Sequence, residues 1–250
     1  MSNTFSYSIK KYPAFSSQMK MADLIHVNYK NLVVLSRLEI PLGFGEKTVE
    51  EVCKKYSVDI NLLLLICNIL LDNDMDPTED QIARCQVEQV VHYLQKSHQY
   101  YLEEALPAIQ QLLTKVADSG AEIHSKALNR FFNEYRKEVE NHLANEDKSV
   151  FPYILKLQKG IRKTKFSIRQ YKDHHANIET KLTDLKNIII KYIPYDYPDN
   201  LRNELLVQLF NLEDDLNRHT LIEEKLLVPA VQLMEQQIVN DKTESNAAGE

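Results

Sequence analysis

His142-Leu-Ala-Asn-Glu146-Asp-Lys-Ser-Val-Phe-Pro152 returns 77 residues later as His219-Thr-Leu-Ile-Glu223-Glu-Lys-Leu-Leu-Val-Pro229. His98 recurs at the same offset as His175. In each copy the His and Glu stand at i and i+4. On a helix they share one face, about 6 Å apart along the axis. Two His-x-x-x-Glu pairs and two single His make a set of six imidazole and carboxylate donors. That set suits a pair of non-haem iron ions better than other common cofactors.

The turns follow from the same spacing. In an antiparallel helical hairpin, residues at one depth are equally far from the turn. The midpoint of His98 and His142 is Gly120, in Asp118-Ser119-Gly120. The midpoint of His175 and His219 is Tyr197, in Pro194-Tyr-Asp-Tyr-Pro198, and that of Glu146 and His175 lies near Gly160. All three fall on turn formers. The chain therefore reads as all-α, an up-down-up-down four-helix bundle with the six donors at one level. The expected helices are 81–118, 122–158, 161–193 and 199–239. Pro107, Pro152 and Pro229 are expected to kink three of them beyond the donors, each removing a backbone bond.

Upstream lies a small helical domain. Met1–Ser17 has little periodicity. Lys20–Leu38 has apolar residues at helical spacing, and Leu38–Glu46 reads as a turn. Thr48, with Glu51 three residues on, caps a helix over Val49–Tyr56. Asp59 caps another over Ile60–Leu71. The acidic, breaker-rich run Asp72–Asp80 marks a boundary. The division is 1–78 for the N-terminal domain, 79–240 for the bundle and 241–250 for a polar, disordered tail.

Composition narrows the function. Only five of 250 residues are Gly, as expected of a helix-rich chain. A net charge of −6 argues against nucleic-acid binding. The pair of short helices at 49–56 and 60–71 lacks the basic surroundings of a DNA-reading helix-turn-helix. Cys53, Cys67 and Cys85 form no framework, which points to a reducing compartment. No apolar run spans a membrane, and Met1–Lys20 has no signal-peptide core. A cytoplasmic protein is expected.

Six ionisable groups inside a bundle would be costly unless compensated, and metal coordination is the compensation that fits. His26, His92 and His124 lie outside the repeat and read as ordinary helix residues. Zinc prefers four ligands, often Cys, and none of the three Cys falls at the donor level. Imidazole also suits copper and nickel, and manganese in one position remains compatible. Ferritin-like carboxylate sites use Glu-x-x-His and more Glu, the reverse of the order here. Two ferrous ions, two carboxylates and an oxide or hydroxide between the metals leave coordination positions open for O2 or NO.

The His142–Pro152 and His219–Pro229 phrases, with Leu106-Pro107 after His98, resemble the hemerythrin-like di-iron proteins. They are most like the repair-of-iron-centres family, and the likeness covers nearly the whole chain. It implies that His98, His142, Glu146, His175, His219 and Glu223 hold two iron ions, with Glu146 and Glu223 bridging. It implies repair or protection of iron–sulfur clusters damaged by nitric oxide or oxidants, with damaged iron–sulfur proteins as partners. It leaves room for a homodimer. That family's N-terminal domain usually carries a Cys-Cys pair, whereas the corresponding stretch here is Pro41-Leu-Gly43-Phe44-Gly45. His174 stands where an acidic residue is usual, as a solvent-facing neighbour or a second layer around the iron. The competing functions are a reversible O2 or NO carrier or sensor, and an enzyme consuming NO or peroxide.

Overall fold

The computed structural model describes residues 15–118, 122–161, 168, 175–193 and 198–247, without side chains at 117–118, 122–125, 175–177 and 239–247. The chain divides into two compact units, the first ending at Asp76 and the second beginning at Pro77. The predicted turns at Gly120 and Pro194–Tyr197 lie outside the described residues.

The first unit holds α1 (Met21–Val27), α2 (Asn31–Arg37), α3 (Val49–Tyr56) and α4 (Ile60–Leu71). The single helix suggested by the Lys20–Leu38 pattern is two. Asn28 breaks it, being extended at φ −145° with its side chain accepting from the Lys30 N–H at 3.1 Å. Such local bonds are how Asn competes with a helix. Thr48 makes the expected capping box: its Oγ1 accepts from Glu51 N–H at 3.2 Å, and Glu51 accepts from Thr48 N–H at 2.8 Å. Asp59 accepts from Asn61 N–H at 2.9 Å. α2 and α3 pack on α4, whose Leu62, Leu63, Ile66 and Ile69 are wholly buried.

Cys53 and Cys67 are part of that core. Burial pushes the Cys53 thiol up to about 11, and Cys67 higher still. The reactive thiolate is therefore suppressed at neutral pH. The folded protein is expected to resist a thiol-labelling disulfide reagent at pH 8 at both positions, and to release three thiols in denaturant. Labelling of Cys67 at the unfolded rate in the native protein would contradict this.

In the second unit, Thr78 caps a short α5 (Glu79–Ala83) through a box with Gln81. The chain breaks at Arg84–Gln86, so the first bundle helix begins at Val87, not at residue 81. It runs as α6 (Val87–Tyr100), a π turn at Tyr101–Ala105, and α7 (Leu106–Asp118). The second is α8 (Glu122–Asn145), a π turn at Glu146–Val150 and α9 (Phe151–Gln158). α10 (His175–Tyr192) follows. The fourth is α11 (Asp199–Ile222), a π turn at Glu223–Leu227 and α12 (Val228–Ala247). Helix thus continues to Ala247, past the boundary expected at 240. The predicted start of the third helix at 161 is not seen: Gly160, at φ +74°, closes α9, and Ile161 N–H bonds back to Lys156 C=O at 3.0 Å. Residues 162–167 and 169–174 lie outside the described set.

The three prolines are each preceded by a widened turn. Each follows a π turn closed by an i→i−5 bond: Leu106 N–H to Tyr101 C=O, Phe151 N–H to Glu146 C=O, and Val228 N–H to Glu223 C=O. A proline has no N–H to give, and its ring crowds the carbonyl four residues back. An extra residue in the preceding turn relieves both problems while the helix carries on.

α7 packs on α8 and α11, and α10 packs on the same two, which makes the four-helix ring. One apolar layer fills it, including Leu113, Phe132, Tyr135, Val139, Leu185 and Leu209. Past the π turns, Ile154, Leu157, Val228 and Val231 are buried in turn. The predicted donor level falls between these layers. No described helix is long and apolar enough to cross a membrane.

Candidate metal centre

His98 lies at the end of α6, His142 one turn before the end of α8, and His219 near the end of α11. Glu146 and Glu223 each open a π turn. In both helices the carboxylate that the repeat marked is the residue whose carbonyl accepts the i→i−5 bond. The His-x-x-x-Glu spacing stays α-helical before each bulge, so each His faces its own Glu. His142 Nε2 is 2.9 Å from Glu146 Oε1, and His219 Nε2 is 3.2 Å from Glu223 Oε1.

Across the bundle, His98 Nε2 lies 3.0 Å from Glu146 Oε2. The His98 and His219 rings stand 5.1 Å apart. His98, Glu146 and His219 each offer one donor atom, and all three atoms lie within 4.8 Å of one another. Among the described residues, no other set of three His, Cys, Asp or Glu side chains does this. Glu146 and Glu223 are completely buried, and His98 and His219 nearly so.

The donors fit a cation. Nε2 of His98 and of His219 is buried and makes no aligned hydrogen bond, although a carboxylate oxygen lies close to each. Buried imidazole nitrogens and carboxylate oxygens facing one another are the donor set of a transition-metal site. Without a cation, leaving such groups buried is costly.

A proton is the cation's competitor. Burial lowers the affinity of His98 for a proton, but the carboxylates of Asp147 and Glu146 more than offset it and raise the imidazole to about 9. The charged ring therefore stabilises the metal-free bundle below the ordinary pKa of 6.5, and that contribution is lost as pH rises through 9. Metal loading runs the opposite way, because a ligand must be deprotonated. Between pH 7 and pH 9 the metal affinity is expected to rise by about tenfold per unit from this group alone. A competitive chelator titration at several pH values measures it, and a flat profile would contradict it.

Of the predicted donors, the structure thus brings together His98, His142, Glu146, His219 and Glu223. The backbone places His175 as the first described residue of α10; its side chain, and all of His174, lie outside the described residues. Sequence reasoning missed three neighbours. Asp147 Oδ2 is 3.2 Å from His98 Nδ1. Phe151 stacks on the His98 ring at 5.3 Å. Tyr101 packs edge-on to His219 at 5.8 Å and donates its hydroxyl to the Asp215 carbonyl at 3.1 Å. Asp147 and Phe151 were within the repeated phrase, but only the three-dimensional crossing of α6 shows what they touch. A narrow cavity of about 20 Å³, enough for one small molecule, lies among Val139, His142, Leu143, Ile178, Leu216 and His219.

Residues 89–232 match the family profile of the hemerythrin HHE cation binding domain. Curated relatives include the iron-sulfur cluster repair protein ScdA of Staphylococcus haemolyticus. It is 24% identical over 187 residues, covering 73% of this chain and 83% of the relative. ScdA of Staphylococcus epidermidis is 21% identical over 193 residues, covering 76% and 86%.

Proposed function

Because the chain belongs to the hemerythrin HHE cation-binding family, we propose that it is a non-haem di-iron protein that repairs or protects iron–sulfur clusters under nitrosative or oxidative stress. The observation that carries the metal reading is the buried trio of His98, Glu146 and His219 within 4.8 Å. With His142, Glu223 and His175 it would make the sixfold set, Glu146 and Glu223 bridging the two ions. Support for repair comes from the ScdA relatives. The aligned part of this chain, at 73% of its 250 residues, is longer than the bundle unit from Pro77 to Glu250. The likeness therefore reaches into the N-terminal unit, which a bare hemerythrin bundle would not need.

Iron bound here would supply a redox-active centre with open positions for a small ligand. The chain's own contribution is burial and placement. Layers of Leu, Ile, Phe and Val on both sides exclude water, which strengthens every charge interaction at the site. The cavity beside His142 and His219 has room for about one water-sized molecule. The clients proposed are iron–sulfur proteins damaged by NO or oxidants.

The test is recovery of an NO-inactivated iron–sulfur enzyme. The iron-loaded protein should speed it, and Glu146→Ala or Glu223→Ala should abolish the gain. If the reduced protein instead binds O2 or NO reversibly, with a spectral change and no faster recovery, the carrier or sensor reading replaces repair.

A further inference from the structure

We propose that Asp147 is a positioning residue for the metal centre: its carboxylate holds His98 by Nδ1 and so commits Nε2 to the metal. The proposal rests on the iron reading of the site given above.

Each nitrogen of His98 faces a different carboxylate at contact distance, without an aligned hydrogen bond. Nε2 faces Glu146 Oε2 at 3.0 Å, inside the donor trio. Nδ1 faces Asp147 Oδ2 at 3.2 Å, on the opposite side of the ring and outside that trio. Consecutive residues of one π turn therefore address the two ends of one imidazole. Phe151, at the end of the same turn, stacks on its face with an interplanar angle of 23°. One segment, Glu146–Phe151, thus fixes the ring's position, its plane and the nitrogen it presents. Asp147 Oδ1 is itself buried and, among the described residues, makes no hydrogen bond.

The chemistry requires such a partner. A histidine that gives one nitrogen to a metal carries its proton on the other, and an acceptor there sets the tautomer and raises the basicity of the ligating nitrogen. A carboxylate does this more strongly than a neutral acceptor. Asp147 is a third exposed, unlike the fully buried Glu146. The repeat carries the same acid pair as Glu223-Glu224, one methylene longer at the second position.

The experiment compares wild type, Asp147→Ala and Asp147→Glu as full chains. Iron affinity is read by chelator competition. The nitrogen carrying the His98 proton is read by ¹⁵N NMR of protein loaded with zinc, a diamagnetic probe for the same donors. Asp147→Ala should bind iron about 10- to 100-fold more weakly. Its His98 Nδ1 proton should lose the strongly hydrogen-bonded shift, and Asp147→Glu should recover both. Equal affinity and an unchanged Nδ1 signal in Asp147→Ala would overturn the assignment. So would weakening in both variants with the His98 signal unmoved, which would place Asp147 in the packing of the turn alone. Failure of the wild type to bind iron would sink the metal reading itself, a separate outcome.

Discussion

Protein produced with ample iron is expected to carry two iron ions per chain, and His142→Ala with His219→Ala to carry close to none. The two histidines sit one helical turn before the two buried carboxylates, His142 Nε2 at 2.9 Å from Glu146 and His219 Nε2 at 3.2 Å from Glu223. Removing both leaves each carboxylate without its nearest imidazole in a water-poor layer. Each half of the site then loses a donor, and none of Cys53, Cys67 and Cys85 belongs to the donor trio. A single substitution should leave partial occupancy, because the other half keeps its pair. Metal analysis of the purified proteins decides it. Full iron content in the double variant would mean that the ions are held elsewhere.

The 77-residue repeat made much of this legible, and it reaches beyond the donors. Leu128, Phe132 and Tyr135 are buried, and so are Leu205, Leu209 and Leu212 at the same offset. Past the carboxylates, Val150, Phe151 and Ile154 match Leu227, Val228 and Val231, all buried. A donor pattern and an apolar pattern sharing one offset describe a bundle with internal twofold character. What stayed hidden has local physical causes. The breaks at Asn28 and at Arg84–Gln86 depend on local hydrogen bonds that hydrophobic spacing does not encode. The π turns were signalled only indirectly, by a proline six residues after the first residue of each. A proline says that the ladder must yield, but not whether it yields by a kink or by an inserted residue. Asp147 was hidden for a third reason: neighbouring residues on an ideal helix point about 100° apart. Nothing in the sequence told that both would meet one imidazole from another helix.

Removing the metal should lower the thermal midpoint of the bundle by roughly 8–16 °C. The donors are brought together only when the helices have assembled, so binding energy becomes folding energy. Ligand at about a thousand times its dissociation constant adds about 4 kcal/mol. In a unit of this size each kcal/mol moves the midpoint by about 2–4 °C. The metal-free state is not a neutral reference, because protonated His98 between Glu146 and Asp147 replaces part of the lost cation charge. The shift should therefore widen from pH 7 to pH 9, where that proton leaves and the metal-free bundle keeps two acidic side chains against an uncharged ring. Glu146→Gln tests the account from the other side. It keeps the volume of a fully buried residue and removes the charge that both His98 and His142 face. In that variant the metal-dependent shift should shrink to a few degrees at most, while the midpoint of the metal-free form changes far less. Equal midpoints for loaded and metal-free wild type would mean that the apolar layers alone hold the bundle. Scanning calorimetry at the two pH values, with and without chelator, separates these outcomes.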